Sequence, residues 1–369
     1  MNLIFITIDG ARVDRIVNGN FYKKLIDKSA FFSKTITYAP YTIAAMHAVF
    51  SGTYGTKTGV DSYWSTPNFK KNEYKTLVKY LQDSGYVTMG DSINKLILPK
   101  SGFDELTIHD EINDDLTQTH LSLLSNMKKL KNEGKKFFLY LHYSNIHTGI
   151  MQQVLKKYDN FSQEYFSKKQ ENEKFYDELF KNADNYLERI VTECETLNLT
   201  EDTLIVVISD HGISIGEKLG ERAYGVFCYD YTLNATSLFY HNSLSSKYVK
   251  NQVCSIDILP TILEILKIPI DSNYKRFDGQ SLIPILNGDN SPRIAFSQSG
   301  NPLDTGKPPK EPNVWAIRTD DWKFILNTHD DSEELYDLHT DPEELHNLID
   351  NQPEIATRLR LKLKELASK

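Results

Sequence analysis

Three short, unbroken apolar runs constrain the architecture of this chain more than any other feature. They span residues 3–8, 137–141 and 204–208, and all are rich in Ile, Val, Leu and Phe. Apolar runs without alternation are what strands buried on both faces of a mostly parallel sheet look like. Helical patterns separate them. Phe180, Ala183, Leu187, Ile190, Cys194 and Leu197 advance in steps of three and four, which marks one buried face of a helix feeding the run before Asp210. This alternation predicts an α/β sandwich with a mostly parallel central sheet flanked by helices, whose ligand site belongs at the C-terminal strand ends. Asp9, His147 and Asp210 all fall there.

From about residue 290 the pattern changes to short amphipathic strands such as Trp322 to Leu326. A terminal helix follows, started by Pro353 and striped by Ile355, Leu359, Leu363 and Leu366. The expected organisation is a catalytic α/β domain over 1–289 and a small C-terminal α+β subdomain over 290–369, with short antiparallel strands and a terminal helix. The polar segment 149–174, ending in the charged run from Lys168 to Lys174, reads as a solvated helix face or loop in preference to a substrate lid.

A net charge of −8 provides no general basic field for nucleic acid or acidic membranes. Cys194, Cys228 and Cys254 are widely spaced, so reduced structural thiols are expected and a disulfide framework is not. No stretch approaches the roughly 20 apolar residues of a membrane span. The N-terminal run reaches a candidate ligand by Asp9, so a cytoplasmic protein starting at or next to Met1 is expected.

The chemistry centres on Thr42, in the segment Pro40 to Met46, ahead of a helical run closed by Ser51 and Gly52. An aliphatic hydroxyl is almost fully protonated at neutral pH and needs activation, which a divalent cation can supply. Asp9, Thr42 and Asp210 offer oxygen and His211 offers nitrogen. That mixed set suits one Mn²⁺, Mg²⁺ or Ca²⁺ and is compatible with Zn²⁺. Each residue also has a plain structural reading: Thr42 as a helix cap, Asp9 as a turn residue, Asp210 in an Asx turn. His47 and His142 are read as structural, as are Arg12 and Asp14.

The ordered set of motifs resembles the sulfatase family of the alkaline phosphatase superfamily. The resemblance rests on the strand ending in Asp9, Thr42 ten residues before Gly52, and Asp210-His211-Gly212. It extends to Asp257-Ile258-Leu259-Pro260-Thr261, Phe277-Asp278-Gly279, and the ending from Glu334 to Pro342. It implies that His147 contacts the transferred group or protonates the leaving oxygen. Lys218 and Arg222 fall where the family places basic groups for its anion. Three departures stand out. The family's Cys-x-Pro-x-Arg motif, whose Cys or Ser becomes formylglycine, reads Thr42, Ala44 and Met46 here. Its Lys-x-His pair is missing near residues 90–94, and its second N-terminal Asp is Gly10.

The resulting expectation is a metal-dependent hydrolase or transferase of small anionic phosphate esters, monoester or diester, working through Thr42 and a phosphothreonine intermediate. A sulfuric ester hydrolase that dispenses with formylglycine is the alternative, and a degenerate metal- or anion-binding protein the third.

Overall fold

The computed structural model describes residues 1–99, 101–303 and 306–367. Nine strands form the first sheet: β1 Asn2–Ile8, β2 Ala30–Ile36, β3 Val87–Ser92, β4 Glu105–Ile108, β5 Phe137–Tyr143, β6 Thr203–Ile208, β7 Asn234–Tyr240, β8 Lys247–Val249 and β9 Val253–Cys254. Their order is β4-β3-β5-β1-β6-β7-β2-β8, with β9 also beside β2. The stretch from β4 to β6 is parallel throughout, and β7 runs antiparallel to both neighbours. The three apolar runs of the sequence are the adjacent central strands β5, β1 and β6.

Both faces of β1 are covered, which is why its sequence does not alternate. Ile4, Ile6 and Ile8 pack into one layer with Leu187, Ile190 and Cys194 of the long helix Lys169–Thr196. Leu3 and Phe5 pack into the other with Met46, Val49 and Phe50 of the helix Thr42–Ser51 and with Ile258 and Ile262 of the helix Ile258–Leu266. The charged run from Lys168 opens the long helix rather than a loop, because its Tyr176, Phe180 and Ala183 side chains already lie on the buried face. The three cysteines are buried and free. No helix among the described residues is long and apolar enough to cross a membrane.

A second, antiparallel sheet joins β10 Ala295–Ser299, β11 Val314–Arg318, β12 Trp322–Asn327 and β13 Ser332–Asp337 in sequence order. The helix Pro353–Ala367 covers it through Ala356, Leu359 and Leu363. The sheet docks on the first through β10: the Gln298 amide donates to the Tyr38 carbonyl at 2.9 Å, and Ser297 Oγ to the Thr37 carbonyl at 2.6 Å. A buried ion network adds to this. Asp230, just before β7, accepts from Arg318 Nη2 at 2.8 Å and Lys323 Nζ at 2.6 Å, and Lys323 reaches Glu344 at 2.8 Å. Burial opposes ionisation of Asp230, yet the two cations outweigh it and hold the carboxyl well below the usual carboxylate range.

Removing one partner of a buried pair leaves an uncompensated charge, at a cost of about 3–5 kcal/mol. Asp230→Asn is therefore expected to lower stability by roughly that amount, read as a drop in the urea midpoint with the slope unchanged. A shift within error of zero would show that the network adds nothing to docking of the second sheet.

Candidate metal and nucleophile site

The site lies at the C-terminal ends of β1, β5 and β6, at the place predicted for a parallel sheet. Asp9 follows β1 and its amide donates to the Tyr143 carbonyl at 3.1 Å, which keeps it level with the end of β5. The register of β1 on β6 pairs Thr7 with Ile208, so the segment from Ser209 to Gly212 leaves the sheet beside Asp9. The structure brings four of the predicted residues together: Asp9, Asp210 and His211 can present their ligand atoms within 4.8 Å of one another, and Thr42 joins them by hydrogen bonds.

Thr42 is the first residue of its helix, and Tyr41, with extended backbone, is the cap position. The capping alternative for Thr42 is therefore not what the fold uses. Thr42 Oγ1 instead lies 3.2 Å from Asp9 Oδ2 and 3.3 Å from His211 Nε2. His211 Nδ1 lies 2.8 Å from the Gly212 carbonyl oxygen, which can only accept, so Nδ1 carries the proton and Nε2 presents a lone pair toward Thr42 and Asp9.

Gly10 explains how the site forms without the family's second Asp. Its φ of +74° is left-handed, and a Cβ there would come within 3.0 Å of Ile213. The turn this permits aims the Gly10 amide at Asp210 Oδ1, 3.1 Å away, and the His211 amide donates to the same oxygen at 2.9 Å. The other oxygen, Asp210 Oδ2, is buried without a hydrogen-bond partner among the described residues, and so is Asp9 Oδ1; each lies 3.6 Å from His211 Nε2. Two unpartnered carboxylate oxygens beside an imidazole lone pair fit a divalent cation in donor type and charge.

The electrostatics agree. Burial alone would raise both carboxyls. Asp9 is nevertheless held well below the carboxylate range by His147, His142 and His211, while Asp210 is pushed up by burial and by the charge of Asp9. Two carboxylates this close in a dry setting repel, and a cation between them removes the conflict.

His142, read from sequence as structural, belongs to the site. Its Nε2 lies 3.2 Å from Asp9 Oδ2 and its Nδ1 2.9 Å from Tyr140 Oη. A lone His inside an apolar strand carries no signal of this, because only the pairing of β5 with β1 sets it beside Asp9. His47 matches its structural reading: it is buried against Phe69 and bonded to the Leu96 carbonyl oxygen. So do Arg12 and Asp14, which pair with each other, Arg12 also reaching Glu217.

A cavity of about 200 Å³ opens over Thr42, lined by Asp9, Tyr63, Asn94, Glu111, His147 and Tyr224 among others. His147 Nδ1 is 3.1 Å from Tyr224 Oη and 3.9 Å from Asp9 Oδ2, and the Tyr224 ring also lies 4.9 Å from that of His211. Among the described residues, no Lys or Arg lines this cavity. Lys218 bonds the Glu344 carbonyl oxygen and lies over the Tyr229 ring at 4.7 Å, and Arg222 Nη1 donates to Asn160 at 2.7 Å. Both basic groups expected at the anion are thus engaged elsewhere, Lys218 with the second sheet and Arg222 with the segment before the helix Gln163–Ser167.

Between them, Glu221 accepts from the amides of Val226 and Phe227 and from Tyr231 Oη, and burial pushes its carboxyl up to about 7. A raised acid binds more protons in the native state than in the unfolded one, so its contribution is greatest below about 4.5 and is lost as pH rises to about 7. The stability advantage of the parent over Glu221→Gln should therefore shrink between pH 5 and pH 7.5 in thermal melts, and a constant difference would contradict this.

With the geometry in place, comparison with known proteins is informative. The sulfatase family profile matches residues 1–268, and one for the C-terminal part of N-sulphoglucosamine sulphohydrolase matches residues 227–369. Arylsulfatase K of the dog is 26% identical over 205 residues, 52% of this chain, and that of the rat 26% over 155 residues, 41% of this chain. These matches span only 36% and 27% of the relatives' own length. Among solved structures, a 2-O GAG sulfatase superposes with a TM-score of 0.80 at 16% identity, covering 100% of this chain and 92% of that one. A phosphonate monoester hydrolase of Agrobacterium radiobacter superposes with a TM-score of 0.77 at 14% identity, covering 100% and 95%. At such identities the structures establish the fold, while the profile match over most of the chain, with Asp9, Thr42 and Asp210-His211-Gly212 gathered at one set of strand ends, places this chain in the sulfatase family.

Proposed function

We propose that this member of the family cleaves or transfers a phosphate ester, with Thr42 as the nucleophile. The observation that carries this reading is the position of Thr42 Oγ1, at the first turn of a helix, on the cavity wall, and within hydrogen-bond reach of Asp9 and His211. Asp9, Asp210, His211 and Thr42 would hold one divalent cation. Such an ion favours the alkoxide of Thr42 and offsets charge on the ester oxygens.

The chain's own groups account for the remaining steps. Thr42 loses its proton with an acceptor at Asp9 Oδ2 in reach. Its oxygen forms a bond to phosphorus as the bond from phosphorus to the leaving oxygen breaks, and His147, which lines the cavity, supplies a proton to that oxygen. Water or an alcohol then attacks phosphorus and releases Thr42. The N-terminus of the helix Thr42–Ser51 lies at the cavity wall through Thr42 and Ile43, so its dipole favours a bound anion. A volume of about 200 Å³ suits the esterified group alone, so the rest of the substrate lies outside it.

A sulfate ester is the second reading, favoured by family membership and by the arylsulfatase relatives. Thr42 cannot become formylglycine, the nucleophile of the family's sulfate ester chemistry, which weighs toward the phosphate ester. Nitrophenyl phosphate, bis-nitrophenyl phosphate and nitrophenyl sulfate separate the two directly. Phosphate monoester or diester turnover well above sulfate turnover is expected, and the reverse order would overturn the substrate assignment.

Thr42→Ala should lower kcat by a factor on the order of 10³ or more, while Thr42→Ser keeps partial activity through its hydroxyl. Rapid quench with substrate, followed by peptide mass analysis, should place a phosphate on the peptide carrying Thr42. Parent-like turnover by Thr42→Ala would instead point to direct attack by water.

Asp210→Asn and His211→Ala are each expected to reduce bound metal, measured by elemental analysis, and to abolish activity with the thermal transition retained. Full activity in a metal-depleted variant would refute the ligand assignment.

A further inference from the structure

A second cluster of ligand-type side chains lies deeper in the fold, at the ends of β3 and β4. Asp91 is the penultimate residue of β3, His109 directly follows β4, and His120 lies on the helix Leu116–Asn132. All three side chains are fully buried. Asp91 Oδ2 is 2.5 Å from His109 Nδ1 and 2.9 Å from His120 Nε2. Asp91 Oδ1 is buried without a hydrogen-bond partner among the described residues. The three can present their ligand atoms within 4.8 Å of one another. None of them lines the cavity over Thr42, and the proposed chemistry uses none of them.

We infer that Asp91, His109 and His120 form a second metal site, separate from the one at Asp9, that takes a borderline transition ion such as Zn²⁺ in a structural role. Two imidazoles and one carboxylate are a donor set for Zn²⁺ or its neighbours, and one that Ca²⁺ and Mg²⁺, which prefer oxygen cages, do not favour. The surroundings of the rings support the assignment. Bound histidines need their second nitrogen anchored by another group. Here His109 Nε2 lies 2.9 Å from Ser144 Oγ and His120 Nδ1 lies 2.6 Å from Tyr186 Oη. Both hydroxyls can accept, which leaves the nitrogens facing Asp91 free to act as ligands. Asp91 Oδ1 is available as a further donor.

Burial adds a charge argument. Among the described residues, the groups that form ion pairs with Asp91 are His109 and His120. With both imidazoles neutral, as ligands must be, the buried carboxylate has no charge to balance it. A bound cation supplies that balance. Ligand atoms around Zn²⁺ sit about 2.0–2.2 Å from the ion, so loading requires the imidazoles to withdraw slightly from Asp91. The cluster joins β3, β4, the helix Leu116–Asn132 and, through Ser144, the end of β5. An ion there would tie the outer strands to the strand that carries His142.

The test separates this site from the one at Asp9 by using the full chain with Asp210→Asn and His211→Ala combined. Stripped of metal and titrated with Zn²⁺ alone, this double variant should bind one equivalent and show a higher Tm with Zn²⁺ than without. X-ray absorption at the zinc edge should report two imidazole ligands and no sulfur. Adding His120→Gln, which keeps a polar group of similar size, should remove the equivalent and the Tm gain. Should that triple variant fail to fold, adding Asp9→Asn to the double variant instead removes the carboxylate beside His142 and His147, and a zinc equivalent with two imidazoles retained there still decides. No zinc uptake by the folded double variant, an ion without two imidazoles, or an equivalent retained in the folded His120→Gln variant would each overturn the inference and leave a hydrogen-bonded Asp-His-His cluster.

Discussion

The carboxylate of Asp9 is the group on which the site depends. It directly follows the central strand β1, is 1% exposed, and carries Thr42 and His142 on one oxygen while the other has no hydrogen-bond partner among the described residues. An isolated buried carboxylate is costly, by several kcal/mol even after relaxation. It persists here because histidines from β5, from the helix Asn145–Ile150 and from the end of β6 converge on it. The pairing registers do the positioning. Ile8 lies opposite Tyr143 and Thr7 opposite Ile208, so Asp9 emerges level with both neighbouring strand ends. A slip of one residue would turn the apolar set of β1 from one core layer to the other and take Asp9 out of the site.

The distribution of fixed cations is the second organising feature. Arg318 and Lys323 neutralise Asp230 beneath the second sheet, and Lys218 is held against the same region by Glu344 and Tyr229. Of the basic residues after the Asp-His-Gly segment, Lys218 thus serves attachment of the C-terminal sheet and Arg222 is held by Asn160. Among the described residues, the cavity over Thr42 is lined by two carboxylates, a histidine, an asparagine and tyrosines, with no fixed cation. A bound divalent ion would then contribute most of the positive charge there, which makes recognition of the ester and binding of the metal parts of one interaction.

How much of this was legible in the sequence follows from the range over which each signal acts. Strand type and helix faces are local properties, so the runs ending at Ile8, Tyr143 and Ile208 and the stripe from Phe180 to Cys194 could be read from hydrophobic pattern alone. Chemistry at strand ends was legible too, because parallel sheets put Asp9, Asp210 and His211 at one edge. Roles set by contacts across the fold were not. His142 looks like any polar residue in an apolar strand until β5 pairs with β1. Lys218 looks like an anion ligand until Glu344, distant in sequence, captures it. Asp91, His109 and His120 share no motif spacing, and strand order alone makes them neighbours. The sequence by itself determined the class of fold, the strand ends that carry the candidate ligands and the hydroxyl beside them, since these follow from local periodicity and residue chemistry. Only the tertiary structure decided which histidine supports Asp9, which cations are withdrawn from the cavity and which buried groups meet, because those depend on pairing register and long-range packing that no local pattern encodes.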